Sequence, residues 1–195
     1  MLVLPVFTAG SNEGFIWAAS RTFVLLACVN VLRSMSHSWL LMVLMALAAT
    51  ASEWLTVLNL DSEFTHAVSF LLFGVFVILI TYQVLKQIMV TNNIDMHIIV
   101  GAFCGFMLIG IIASLVFTFL YFGNPDSFSN INPSNRGVED LFYFSFITIL
   151  TIGYGDIAPL TDTARSLSLF FGLIGQFYLV VIMAVLVGKF IGKSE

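Results

Sequence analysis

Three long apolar runs, residues 67–90, 98–122 and 163–189, constrain this chain more than any other feature. A helix needs about 20 mostly apolar residues to cross the hydrocarbon of a bilayer, and each run meets that length. A fourth, about 38–60, is nearly as good, with Glu53 off its centre toward the 60 end. Backbone donors and acceptors in hydrocarbon must be paired within their own segment, so runs of this kind read as helices. Of the 195 residues, 59% are hydrophobic and only 9% are charged, whereas a soluble domain carries about 25% charged residues. Too little polar surface remains to clothe a water-soluble globule. The expected fold is an all-α membrane protein with four transmembrane helices. The net charge of −4 supplies no basic patch to neutralise phosphates, so nucleic acid is excluded as a partner.

Residues 14–32 stay open as a fifth, N-terminal helix. Arg21 interrupts the run, and only Thr22 to Leu32 is continuously apolar, a length that suits an interfacial or re-entrant helix better than a span. With four spans and both termini cytoplasmic, Arg21, Arg33, Lys86, Lys189 and Lys193 fall inside and only Arg136 and Arg165 outside, which satisfies the positive-inside rule. Residues 1–12 lack the basic start of a signal peptide, and no cleavage is expected. Cys28 and Cys104 lie in separate apolar runs and read as buried, inert thiols. The chain divides into an N-terminal cytoplasmic or interfacial segment (1–37), a two-helix peripheral membrane region (38–97) and a third region (98–195).

That third region holds a different kind of segment. Gly123 to Gly137 is polar and rich in turn residues, a loop by its punctuation. Val138 to Leu150 is too short to span, and Glu139 and Asp140 stand at its start, where a helix N-terminus favours carboxylates. It reads as a half-helix that enters the membrane from outside and stops at Thr151-Ile152-Gly153-Tyr154-Gly155-Asp156. Irregular backbone at that depth is tolerated only where it faces protein or a water-filled cavity. An ordinary strand alternates its carbonyls. Alternating the backbone between right- and left-handed regions aims them all at one axis, and Gly153 and Gly155 can take positive φ at little steric cost. Ile152 is expected behind this loop, packed against the half-helix, with the Thr151 hydroxyl at the inner mouth and Asp156 at the outer. The negative C-terminal end of the half-helix favours a cation at the axis. One chain brings one loop, so a closed ring of oxygens requires several copies.

Residues 98–190 resemble the pore module of tetrameric potassium channels: outer helix, pore helix, selectivity filter, inner helix. The family pattern T-x-x-T-x-G-Y-G-D reads here as Thr148-Ile149-Leu150-Thr151-Ile152-Gly153-Tyr154-Gly155-Asp156, similar to the TVGYG loops whose carbonyls replace the hydration shell of potassium. The resemblance implies a homotetramer with the pore on its axis. K+ would be the permeant ion, held at Thr151, Ile152, Gly153 and Tyr154, with no cofactor, and the chain would be embedded in the lipids of the cell membrane. Pro159 and Arg165 stand at the family's usual places. Gly175 matches the gating-hinge glycine, with a helix-packing role equally open, and Gln176, Leu179 and Met183 fall on a cavity-facing stripe. Tyr143 and Phe144 occupy the places where many members carry two tryptophans, and Ile147 a place where some members carry a glutamate, so the polar network behind the filter of those members is not expected here.

No span carries basic residues at every third position, so little voltage dependence is expected, and the short segment after Lys193 implies no nucleotide-binding domain. Gly101, Gly105, Gly188 and Gly192 read as packing glycines, and His37, His66 and His97 as boundary residues. No catalytic constellation is visible, so a non-enzyme is expected. Two further functions stay in view: a weakly selective monovalent cation channel, and a pore-type potassium transporter subunit.

Overall fold

The computed structural model describes Thr22 and residues 39–57, 63–90, 96–132 and 137–191. Five α-helices are described: α1 (Trp39–Val57), α2 (Glu63–Val90), α3 (Met96–Gly123), α4 (Gly137–Ile149) and α5 (Asp162–Ile191), with a 3-10 turn at Pro125–Ser127 between α3 and α4. The chain falls into two compact units, Met1–Ile80 and Thr81–Glu195. In the first, Ala46, Ala49, Phe73, Phe76, Val77 and Ile80 are buried.

Among the described residues, three stretches are long and apolar enough to cross a membrane: Ala67–Val90, Ile98–Gly123 and Asp162–Ile182. They lie on α2, α3 and α5, where the apolar runs predict them. On α1 the described apolar stretch is shorter, Val43–Ser52. Apart from Thr22, the 14–32 segment, Cys28 included, lies outside the described residues, as do Arg33, His37 and the side chains of Glu53, His66, His97, Met183 and Lys189.

In the second unit, α3 packs on α4 and α5, and α4 packs on α5. Small residues let the helices approach. A Cβ on Gly110 of α3 would fall 2.6 Å from the Phe146 ring and 2.9 Å from Cδ1 of Ile149, so only glycine admits α4 at this depth. Lower on α3, Gly105 leaves room for the Tyr178 hydroxyl, which donates to the Ala102 carbonyl at 2.7 Å. That bond satisfies the polar tip of a buried ring. Gly101 and Gly188 have no neighbour within 4 Å of such a Cβ.

An aromatic cluster ties the outer end together. Phe117 of α3 lies 5.6 Å from Phe128, 5.2 Å from Phe144 and 5.6 Å from Phe171, centroid to centroid. Phe144 is thus a packing residue. Thr161 caps α5, its hydroxyl accepting from the Ala164 amide at 3.3 Å, and Asp162 adds a carboxylate to the first turn, both favourable at a helix start.

The segment after α3 is more ordered than its turn-rich composition suggests. Phe128 and Pro159 form an isolated antiparallel bridge. The Ser129 amide donates to the Ala158 carbonyl at 2.9 Å and the Leu160 amide to the Ser127 carbonyl at 2.8 Å. Its composition reads as a loop because these partners are far along the chain.

Cys104 is a correction. It is exposed on α3, not buried. An apolar run of membrane-crossing length is apolar all round, so its sequence does not tell an inward face from an outward one.

Candidate functional site

α4 ends in a way that positions everything after it. The Thr151 amide donates to the Thr148 carbonyl at 3.0 Å, and the Ile152 amide to the Ile147 carbonyl at 2.9 Å. These are the two bonds of a Schellman ending, whose turning residue must be left-handed. Thr151 is that residue, at φ 56. Glycine is the usual occupant, and a β-branched residue there is an outlier costing about 1–2 kcal/mol. Strain of this kind collects at functional sites.

The left-handed turn recurs. Gly153 has φ 56 and Gly155 has φ 80, so every second residue from 151 to 155 is left-handed. The Gly153 amide also reaches the Ile147 carbonyl, at 3.2 Å. Three successive N–H groups therefore point back to the end of one helix, which an extended strand cannot do. Among the described residues, none donates to the carbonyls of 151–155. Ile147 acts here through its main-chain oxygen, while its side chain is buried.

The side chains of this loop are less covered than the sequence suggests. Ile152 is 46% exposed and Tyr154 71% exposed within the single chain. Ile152 is expected against the half-helix; its backbone is bound there, but its side chain is not buried by its own protomer.

Asp156 is held at both ends. Its carbonyl accepts from Nδ2 of Asn130 at 2.8 Å. Its carboxylate accepts from the Tyr143 hydroxyl, and this hydrogen bond, with smaller help from desolvation and the carboxylate charge, pushes the tyrosine pKa above its ordinary 10.0. The tyrosine at a tryptophan position thus still supplies a donor. At the other end of the loop, Nε2 of Gln176 on α5 donates to Oγ1 of Thr151 at 3.4 Å. Leu179 is partly exposed on the same helix.

Gly175 meets α4 directly. A Cβ there would lie 2.7 Å from the Ile149 carbonyl oxygen and 3.1 Å from its Cα, so α5 crosses backbone to backbone beneath the end of α4. Gly172 is looser, 3.9 Å from the Thr148 oxygen. Pro159 and Arg165 also meet, with Nε of Arg165 donating to the Pro159 carbonyl at 3.3 Å. Sequence reasoning missed Asn130, because a partner 26 residues away leaves no local signal.

Residues 106–191 match the model of a family described as "Ion channel". This segment, less than half of the chain, is similar to that ion channel family. It runs from within α3 to the end of α5, and the family is one of channels rather than enzymes. The chain is also similar to curated proteins. "Two pore potassium channel c" of Oryza sativa subsp. japonica is 33% identical over 75 residues, 38% of this chain and 16% of that protein. "Two-pore potassium channel 5" of Arabidopsis thaliana is 36% identical over 76 residues, 39% and 18%. "Hyperpolarization-activated voltage-gated potassium channel" of Methanocaldococcus jannaschii is 45% identical over 42 residues, 22% and 20%. The chain thus covers a fifth or less of each of these relatives. No solved structure matches the chain significantly.

Proposed function

We propose that this chain is the protomer of a homotetrameric potassium-selective channel, with residues 151–156 as its filter. α4 is the re-entrant pore helix, and α3 and α5 are the outer and inner helices. The observation that carries the reading is the row of carbonyls at 151–155 with no donor. These carbonyls are open within one chain, and once neighbouring copies and the membrane exclude water, leaving them without partners would be costly. A cation at a shared axis takes their lone pairs in place of its water shell, roughly eight oxygens for potassium when four copies contribute.

The exposed face of α5 supports several copies. Only 22% of the Asp162–Ile182 stretch is buried within one chain, against 50% of Ile98–Gly123. Leu169, Leu173, Phe177 and Val180 form an exposed apolar stripe on it. Neighbouring protomers would cover part of this stripe and the side chains of Ile152 and Tyr154, as cyclic symmetry requires. α1 supplies the fourth crossing, and both termini lie in the cytoplasm. Gly175 then has two roles: it seats the pore helix, and it is the point where the inner helix bends to open.

Thallium or potassium flux into liposomes holding the purified chain tests the reading. Flux that vanishes in Gly153→Ala supports it, because a Cβ at φ 56 opposes the carbonyl orientation. Absence of flux from the unaltered protein refutes it.

A further inference from the structure

The geometry assigns a role to Asn130 that the pore motif does not predict: it is a positioning residue that latches the outer end of the filter through the main-chain oxygen of Asp156. The inference rests on the potassium-channel reading and adds a residue to it.

Three observations carry it. First, the peptide after Gly155 is not fixed by its own sterics. Gly155 sits at φ 80, and glycine moves through such regions at little cost. That freedom leaves the placement of Asp156, the residue after this glycine pivot, to be set by an outside group. The Asn130 amide does so, donating at 2.8 Å.

Second, Asn130 is presented rather than merely nearby. Its φ of 56 is left-handed, a conformation in which asparagine is several-fold enriched over most residues. The flanking backbone holds it there. On one side, the Ser129 amide meets the Ala158 carbonyl at 2.9 Å, and the Ser129 hydroxyl accepts from the Ala158 amide at 2.9 Å. On the other, the Asn132 amide donates to Oδ2 of Asp140 in the first turn of α4 at 3.0 Å. Phe128 anchors the strap in the aromatic cluster.

Third, the strap and α4 close a bracket. The last turn of α4 receives the amides of 151–153, while its first turn holds the strap that grips 156–160. Both ends of the filter loop are thus referred to one helix. The two tethers on Asp156 also differ in kind. Tyr143 titrates, whereas the Asn130 amide does not, so the latch on the carbonyl persists at any pH at which the protein is folded.

Planar-bilayer recordings of the full chain test this. Asn130→Gly keeps the backbone conformation and removes the donor, and Asn130→Asp keeps the size and replaces the donor with an acceptor. Both are expected to make the potassium current decay about tenfold faster, the weight of one ordinary hydrogen bond. Raising external potassium should slow that decay, because an ion in the outer filter substitutes for the latch. Asn130→His tolerates the same backbone region and retains an N–H, so it should stay within about twofold of the unaltered channel. Gly and Asp variants that decay like the unaltered channel, with the same dependence on external potassium, overturn the latch while leaving the channel reading intact. An unaltered chain that carries no potassium overturns the channel reading itself. Solid-state NMR of the labelled, unaltered protein in lipid gives a result independent of any variant's folding: a correlation between the Asn130 side-chain amide nitrogen and the Asp156 carbonyl carbon is expected, and its absence overturns the latch.

Discussion

Gly175 and Ile149 touch main chain to main chain: a Cβ on the glycine would lie 2.7 Å from the Ile149 carbonyl oxygen. α5 therefore bears on the last residue of α4, two positions before the left-handed threonine. A displacement at one is transmitted to the other, because the contact is with rigid backbone and not with a side chain that can swing away.

Gly175→Ala is accordingly expected to destabilise the protein by about 1–3 kcal/mol, the usual cost of overpacking, and to disturb the loop at 151–153. Thermal unfolding of the purified protein reads the first effect, and ion selectivity reads the second. Gly172→Ala, at 3.9 Å from its nearest neighbour, should be close to neutral. Equal tolerance of both substitutions contradicts the account of Gly175 as a seat.

At Thr151 strain and function are separable. Thr151→Gly relieves a β-branched residue at φ 56, an effect of about 1–2 kcal/mol, offset in part by the conformational entropy of glycine. Stability in the absence of potassium should hold or rise. Stabilisation by added potassium, read as the shift in melting temperature with ion concentration, should fall because the hydroxyl is gone. Thr151→Ser keeps the hydroxyl and should retain that shift.

The bond from Tyr143 to Asp156 predicts a pH dependence with a definite sign. The phenol donates only while neutral, and its pKa is raised above 10.0. Its contribution is fully present below pH 10 and is lost as pH rises through the raised value. Tyr143→Phe removes the donor at every pH. Current decay measured from neutral to alkaline pH should steepen above pH 10 in the unaltered channel and show no such step in the variant.

Gly105→Ala tests the crossing of α3 and α5. An added methyl collides with the Tyr178 hydroxyl and displaces it from the Ala102 carbonyl. A buried hydroxyl left without its partner adds about 1–3 kcal/mol to the overpacking cost. Gly105→Ala combined with Tyr178→Phe should recover part of the lost melting temperature, a coupling that a double-mutant cycle measures.

The crossings carried by α2, α3 and α5 and the short α4 were legible in sequence because length and apolarity fix them, and the glycines of the motif because positive φ selects glycine. Thr151 was not legible as a left-handed residue, since its side chain argues against the conformation that the ending of α4 imposes. The strap from Ser127 to Asn132 was hidden for another reason. Its partners lie near residues 140 and 156–160, so composition showed only turn residues. The exposure of Ile152 and Tyr154 was hidden because a single sequence does not say which faces its own protomer leaves open. Cys104 was misplaced for a related reason: in a helix apolar all round, periodicity does not mark a face.

The central claim is that the unpaired carbonyls of residues 151–155 select potassium by replacing its water. The reversal potential under bi-ionic conditions, potassium on one side of a bilayer holding the purified chain and sodium on the other, tests it most directly. The account predicts a reversal potential far from zero in the direction of potassium permeation, abolished in Gly153→Ala. A reversal potential near zero in the unaltered protein, with sodium and potassium carried equally, contradicts it.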